Sequence, residues 1–356
     1  MEHLESINFY LEQAVQQDAA DLFLIAGKAI SMKRGGEIRQ ITEDRLMPDE
    51  ASVLLAELYE LAKRELPQKD AGVDDDFSLS VPGLARFRVN VFMQRGSLAA
   101  VIRVVKFGIP DWQQLGLSPE IMKIADMTRG MVLVTGPAGS GKSTTLACVV
   151  DAINRTRNAH IITIEDPIEY LHRNQMGIVS QRELNMDTQS YVTALRASLR
   201  QAPDVILLGE MRDLDTIQTA MTAAETGHLV ISTLHTVGAV NTIDRIIDVF
   251  PPAQQQQIRV QLSQVLKAVV SQQLLPTVDG GIAPAFEIMY LNNAVRTMVR
   301  DSRIHQIDQV IQTGSAEGMI GMDESILRLC KAGRITPEVA LRFAMAPEQL
   351  QKKLGR

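Results

Sequence analysis

Residues 131–145, MVLVTGPAGSGKSTT, limit what this chain can fold into more than any other stretch. Met131, Val132, Leu133 and Val134 are apolar and read as a short buried strand, and from Lys142 onward the pattern is that of an opening helix. Between them, Gly136, Pro137, Ala138, Gly139, Ser140, Gly141, Lys142 and Ser143 match the phosphate-loop pattern G-x-x-x-x-G-K-[ST] without a gap, with Thr144 next in line. The glycines let the backbone take conformations a side chain forbids, so successive N–H groups can point into one concavity. The helix that follows adds its positive end to that anion site. In this reading Lys142 reaches the β- and γ-phosphates of a nucleotide and the Ser143 hydroxyl sits on Mg²⁺. A flexible Gly/Ser loop ahead of a helix is the bland alternative, and the flanking strand and helix decide against it.

At 356 residues the chain is long enough for about two domains. Its 46% apolar and 22% charged residues allow a sizeable core and a wet surface. A net charge of −6 argues against a nonspecific duplex-DNA binder, which needs a basic footprint, and no nucleic-acid partner is expected. Two cysteines, Cys148 and Cys330, cannot build a four-thiolate zinc site and read as buried small hydrophobes. Glu2, Glu5 and Glu12 interrupt any signal-peptide pattern, and no apolar run reaches the length of a membrane span, so a cytoplasmic protein is expected.

Along the chain, Leu4, Ile7, Leu11 and Val15 fall on one helical face, and 22–26 (LFLIA) reads as a buried strand. Residues 32–41 turn at Gly35-Gly36, and Pro48 starts a second helix. Asp74, Asp75 and Asp76 read as a solvated acidic turn, followed by strands over 77–81, 85–92 and 99–105. Together these predict a small α+β domain over residues 1–105. A Gly/Pro-marked linker follows at 106–116, and the second domain runs from 117 to 356. There the rhythm changes to α/β, with buried strands at 131–135, 160–165, 204–208 and 228–233 separated by helices, which implies a mostly parallel sheet covered on both faces. Beyond Pro251-Pro252 the pattern is helical, starting with one long helix over 253–275, so that 253–356 forms a helical C-terminal part.

A phosphate loop needs a carboxylate for the metal or water, and often a positive group for developing charge. Strand 204–208 ends in Gly209-Glu210, where the usual metal-site aspartate is replaced by glycine; Glu210 is the candidate to polarise the attacking water. At the next strand end, Glu165 and Asp166 are candidates to orient Mg²⁺ and its waters. His228 and His235 bracket a third strand, as candidate sensors of the γ-phosphate. Arg88 alternates with apolar neighbours on one strand, with Arg103 on the next; their functional reading is as arginine fingers toward a neighbouring subunit, the bland one as solvent-facing strand charge.

Four stretches in order, GPAGSGKSTT, ITIEDPIEY, DVILLGEMRD and TAAETGHLVISTLHT, resemble the Walker A, Asp box, Walker B and His box of the secretion ATPase superfamily. Within it the chain is most similar to the PilT-type pilus retraction (twitching motility) ATPases. It starts almost directly with the small domain, lacks a four-cysteine module, and carries AVRTMVRD at 294–301, similar to the retraction signature AIRNLIRE. The resemblance implies a PAS-like N-terminal domain and a RecA-like ATPase domain. It also implies ATP with Mg²⁺ as ligands and a homohexamer with Arg88 and Arg103 acting in trans. The implied partners are an inner-membrane pilus platform protein and, through it, pilin subunits, with the motor peripheral at the cytoplasmic face of the membrane. Pilus assembly ATPases, type II secretion ATPases and accessory retraction paralogues are the alternatives inside the superfamily. A small-molecule kinase and a non-hydrolysing scaffold lie outside that activity.

Overall fold

Ser6 caps the first helix by accepting a hydrogen bond from Phe9 N–H (3.4 Å), and the helix α1 (Ile7–Gln16) buries Ile7, Tyr10, Leu11 and Ala14 at spacings of three and four. The computed structural model describes residues 4–67, 72–105 and 108–355. Lys106 and Phe107 of the expected linker lie outside the described residues. The chain divides into two compact units, Met1–Gly108 with Glu169–Leu171, and Ile109–Ile168 with His172–Arg356.

In the first unit α1 is followed by β1 (Asp21–Leu24), β2 (Ser31–Arg34), β3 (Glu37–Gln40), α2 (Pro48–Leu61), β4 (Asp74–Val81), β5 (Ala85–Gln94) and β6 (Ser97–Val105). The strands form one antiparallel sheet in the order β3-β2-β1-β6-β5-β4. Along β5, Ala85, Phe87, Val89 and Val91 face the core while Arg86, Arg88 and Asn90 face outward, the period-two signature of a half-buried strand. The residues expected as an acidic turn, Asp74 to Asp76, are instead the start of β4, paired with Phe92 to Asn90. Charge gave the wrong reading there, because Tyr59 and Arg64 supply Asp75 with local partners, at 2.8 Å each.

The second unit runs α3 (Pro119–Met122), β7 (Gly130–Thr135), α4 (Lys142–Thr156), β8 (His160–Glu165), β9 (Ile178–Glu183), α5 (Tyr191–Ser198), β10 (Val205–Leu208), α6 (Leu214–Glu225) and β11 (Leu229–Leu234). It continues with α7 (Ala239–Asp248), α8 (Pro252–Val265), β12 (Leu266–Pro276), β13 (Ile282–Tyr290), α9 (Asn293–Arg300), α10 (Ile307–Thr313), α11 (Met322–Lys331), α12 (Pro337–Phe343) and α13 (Pro347–Lys353). Its seven-stranded sheet has the order β13-β12-β7-β11-β10-β8-β9 and is parallel except for the β12–β13 hairpin. Every residue of β7 is buried: Met131 and Leu133 pack with α5 to α8, and Val132 and Val134 with α3 and α4. A strand covered on both faces has no polar side, hence the continuous apolar run.

The expected helix over 253–275 ends at Val265, and the next eleven residues are β12, which lies inside the sheet between β7 and β13. The part after 253 is therefore not wholly helical. The run LKAVVSQQLL suits either period, and pairing with β7 on one side and β13 on the other wins over local preference. Among the described residues no helix is long and apolar enough to cross a membrane.

Candidate active site

The parallel register aligns Leu133 of β7, Ser232 of β11, Leu208 of β10 and Ile164 of β8 across the sheet. Whatever follows those strands therefore emerges along one carboxyl edge, where open α/β sheets place their ligands. Gly136, Glu165, Glu210 and His235 all leave from this edge.

The loop after β7 is shaped by three glycines at positive φ: Gly136 (141°), Gly139 (75°) and Gly141 (84°). Gly141 caps α4 in the left-handed region, and a Cβ on Gly136 would run into the carbonyl oxygen of Gln272 on β12. Pro137, Ala138 and Gly139 form the exposed crest. Lys142 is buried and arches back, donating from Nζ to the carbonyls of Gly136 (2.8 Å) and Pro137 (2.9 Å). Ser140 is 3% exposed, and its Oγ has no hydrogen-bond partner among the described residues. A buried hydroxyl without a partner, beside a lysine in a glycine-shaped loop at the N-terminus of α4, fits an anionic phosphate. Ser143 and Thr144 stand half-buried in the first turn of α4. Thr145 below them donates to Gln272 Oε1 (2.7 Å), so β12 braces the loop.

On the neighbouring strand ends, the Glu210 side chain is 13% exposed and accepts from Arg212 Nε (2.7 Å), with His235 Nε2 at 3.5 Å. Glu165 Oε1 accepts from Thr163 Oγ1 (2.6 Å) and Gln181 Nε2 (3.3 Å), while Asp166 is exposed. Gly209 N–H donates to Ile164 O (2.8 Å), and a Cβ there would lie 2.8 Å from the Tyr191 hydroxyl and 3.4 Å from Glu165 Cα. The glycine in place of the usual aspartate thus has a steric reason. Tyr191 stands between the two acidic strand ends, and its phenol is pushed well above its ordinary value by burial and then by Glu210, Asp166 and Glu165.

Not every expected residue reaches this edge. His228 precedes β11, at the amino end of the strand, roughly 20 Å from His235 at about 3.3 Å per residue. Its Nδ1 contacts Ala223 O (2.9 Å) and Thr226 Oγ1 (3.2 Å) in the turn after α6. It closes that turn, away from the carboxyl edge of its own chain's sheet. Arg88 and Arg103 are directly opposite each other on β5 and β6 of the first unit. Two like charges so placed repel. Arg103 Nε bonds Asp21 Oδ1 (2.8 Å), Arg88 Nη2 lies 3.8 Å from Asp76 Oδ2, and the group lines a concavity of about 210 Å³. Sequence reasoning missed Arg212, Gln272 and Tyr191. Arg212 alone carried a signal, two positions after Glu210.

A glycine cradle closed by a lysine at the carboxyl edge of a RecA-like parallel sheet defines the P-loop nucleotide-binding class. The family model described as "Type II/IV secretion system protein" matches residues 3–316, and the chain belongs to that family. It is 46% identical over 316 residues to a "Twitching motility protein" of Neisseria gonorrhoeae, covering 88% of this chain and 84% of that one. It is 43% identical over 336 residues to the "Type IV pilus retractation ATPase PilT" of Pseudomonas aeruginosa, covering 94% and 97%. A solved structure described as the pilus retraction motor PilT with bound ADP superposes with a TM-score of 0.88 at 41% identity, covering 98% of this chain and 99% of that one.

Proposed function

We propose that this chain is a hexameric motor that hydrolyses ATP to ADP and phosphate and thereby powers type IV pilus retraction. The observation that carries the reading is the shared edge: the Lys142 loop, Glu165, Glu210 and His235 follow the carboxyl ends of adjacent parallel strands. Similarity to retraction and twitching proteins along nearly the whole chain supports the direction of the motor.

In this reading Lys142 leaves the carbonyls of Gly136 and Pro137 and binds the β- and γ-phosphates, with the loop N–H groups and the Ser140 hydroxyl around them. Ser143 and Asp166 would hold Mg²⁺, partly through water, and Glu165 would orient those waters. The ion, when bound, neutralises charge on the phosphate oxygens. Glu210 accepts a hydrogen bond from the attacking water and turns it toward the γ-phosphorus, while His235 senses the γ-phosphate. Arg88 and Arg103 reach the phosphates of a neighbouring copy, trading Asp76 and Asp21 for the charge that develops there. The work is delivered to pilin through an inner-membrane platform protein, from the cytoplasmic face and without nucleic acid.

Substituting Lys142→Ala is expected to reduce ATP turnover by about 100-fold or more while the fold persists. Phosphate release to water, with no acceptor added, is the readout, and a parental rate in the variant contradicts the site assignment. For the motor's direction, deleting the protein should leave cells with excess surface pili that no longer shorten; loss of pili contradicts retraction.

A further inference from the structure

Tyr191 opens α5 directly after its cap, Ser190, whose side chain accepts from Thr193 N–H (3.2 Å). The half-buried Tyr191 side chain carries its hydroxyl to 2.8 Å from the point where a Cβ on Gly209 would stand. That is the place a strand-end aspartate would fill with its own side chain. The hydroxyl has no hydrogen-bond partner among the described residues, although Glu210, Asp166 and Glu165 are all close enough to act on it electrostatically. A half-buried hydroxyl with free donor and acceptor capacity, beside carboxylates at a phosphate site, is a water-holding group.

We infer that Tyr191 is a positioning residue that holds, from the α5 side, the water that Glu210 polarises, its own hydroxyl filling the place Gly209 leaves open. The inference rests on the ATPase reading above. In this role Tyr191 transfers no proton; its hydroxyl donates a hydrogen bond to Glu210 or to the water. Gly209 and Tyr191 are then one device built from two elements, since any side chain at 209 collides with the hydroxyl.

The experiment uses the full chain. Parental turnover is measured first, because a parent that hydrolyses no ATP overturns the ATPase reading and this inference with it. Given an active parent, Tyr191→Phe is expected to lower kcat about tenfold, the worth of one hydrogen bond in the transition state, with KM and fluorescent-nucleotide affinity within twofold. In a Glu210→Gln background the same substitution should have little further effect, as expected for two groups acting on one water. Gly209→Ser returns a hydroxyl from the opposite wall. Alone it meets the Tyr191 hydroxyl and lowers activity, whereas combined with Tyr191→Phe it should recover part of the lost kcat; Gly209→Ala in that background should not. An unchanged kcat in Tyr191→Phe, a KM rise in its place, or equal recovery by alanine and serine overturns the inference.

Discussion

Gly136 and Gly139 look equivalent in the loop motif, yet their surroundings differ. A Cβ on Gly139 meets nothing within 4 Å, so alanine there suffers only the strain of its φ of 75°, about 1–2 kcal/mol. A Cβ on Gly136 meets the backbone carbonyl of Gln272 and, at 2.7 Å, Ser140 Oγ. Backbone in a strand paired on both sides cannot yield, so Gly136→Ala should displace the loop. Calorimetric titration with ATP is expected to show Gly139→Ala within about tenfold of the parent and Gly136→Ala weaker by about 100-fold or more. Comparable affinities in the two variants would contradict the bracing of the loop by β12. Only half of this contrast was legible in the sequence. The motif marks both glycines, but the strand that makes one of them irreplaceable supplies Gln272, 127 positions from its partner Thr145. Nothing local connects the two. Tyr191 was hidden for the same reason: within its own segment it is simply the first residue of a short helix.

At the scale of elements, the four strands 131–135, 160–165, 204–208 and 228–233 were readable because burial on both faces leaves a continuous apolar run. The edge strand β9 escaped, since its residues Val179 to Arg182 are only partly buried and mostly polar. So did β12, where helix passes into strand at Leu266 with no glycine or proline to mark the change. The segment leading into β9 carries a titration of its own. His172 N–H donates to Gln181 Oε1 (2.8 Å), its ring Nδ1 is buried without a partner among the described residues, and burial lowers its pKa from 6.5 to about 4. The unfolded chain takes up a proton at this histidine below about pH 6.5, and the native chain resists it until about pH 4. The stability it contributes is therefore present above pH 6.5 and lost as pH falls through that window, on the order of 3 kcal/mol in all. Urea midpoints compared at pH 7.5 and 5 should show a smaller acid loss in His172→Phe than in the parent. Equal losses would mean that the native ring takes up its proton as readily as the unfolded one.

At the scale of the whole molecule, the alternation that places Arg88 on an outer strand face was readable, but its setting was not. Asp21 comes to Arg103 only because β1 pairs with β6, across 82 positions, and Asp76 comes to Arg88 because the expected turn is a strand. Arg103, itself largely exposed, pairs with the buried Asp21, and Arg88 stands near Asp76 where both are exposed, a pair worth about 1 kcal/mol or less. That is weak enough to exchange for a phosphate, which attracts a guanidinium more strongly through charge-assisted, bidentate bonds. The proposed sharing of sites between copies then makes a quantitative expectation. Arg103→Ala copies keep Glu210 but lack the finger, and Glu210→Gln copies keep the finger but lack the carboxylate, so each alone should be nearly inactive. In rings assembled from an equal mixture, a site is whole only where the first kind supplies the loop and the second the arginine. Random head-to-tail assembly makes about one site in four complete, so mixing should raise activity to about a quarter of the parental value if sites act independently. If arginine and carboxylate instead served the same chain, every site would lack one of them at every ratio, and mixing would restore nothing.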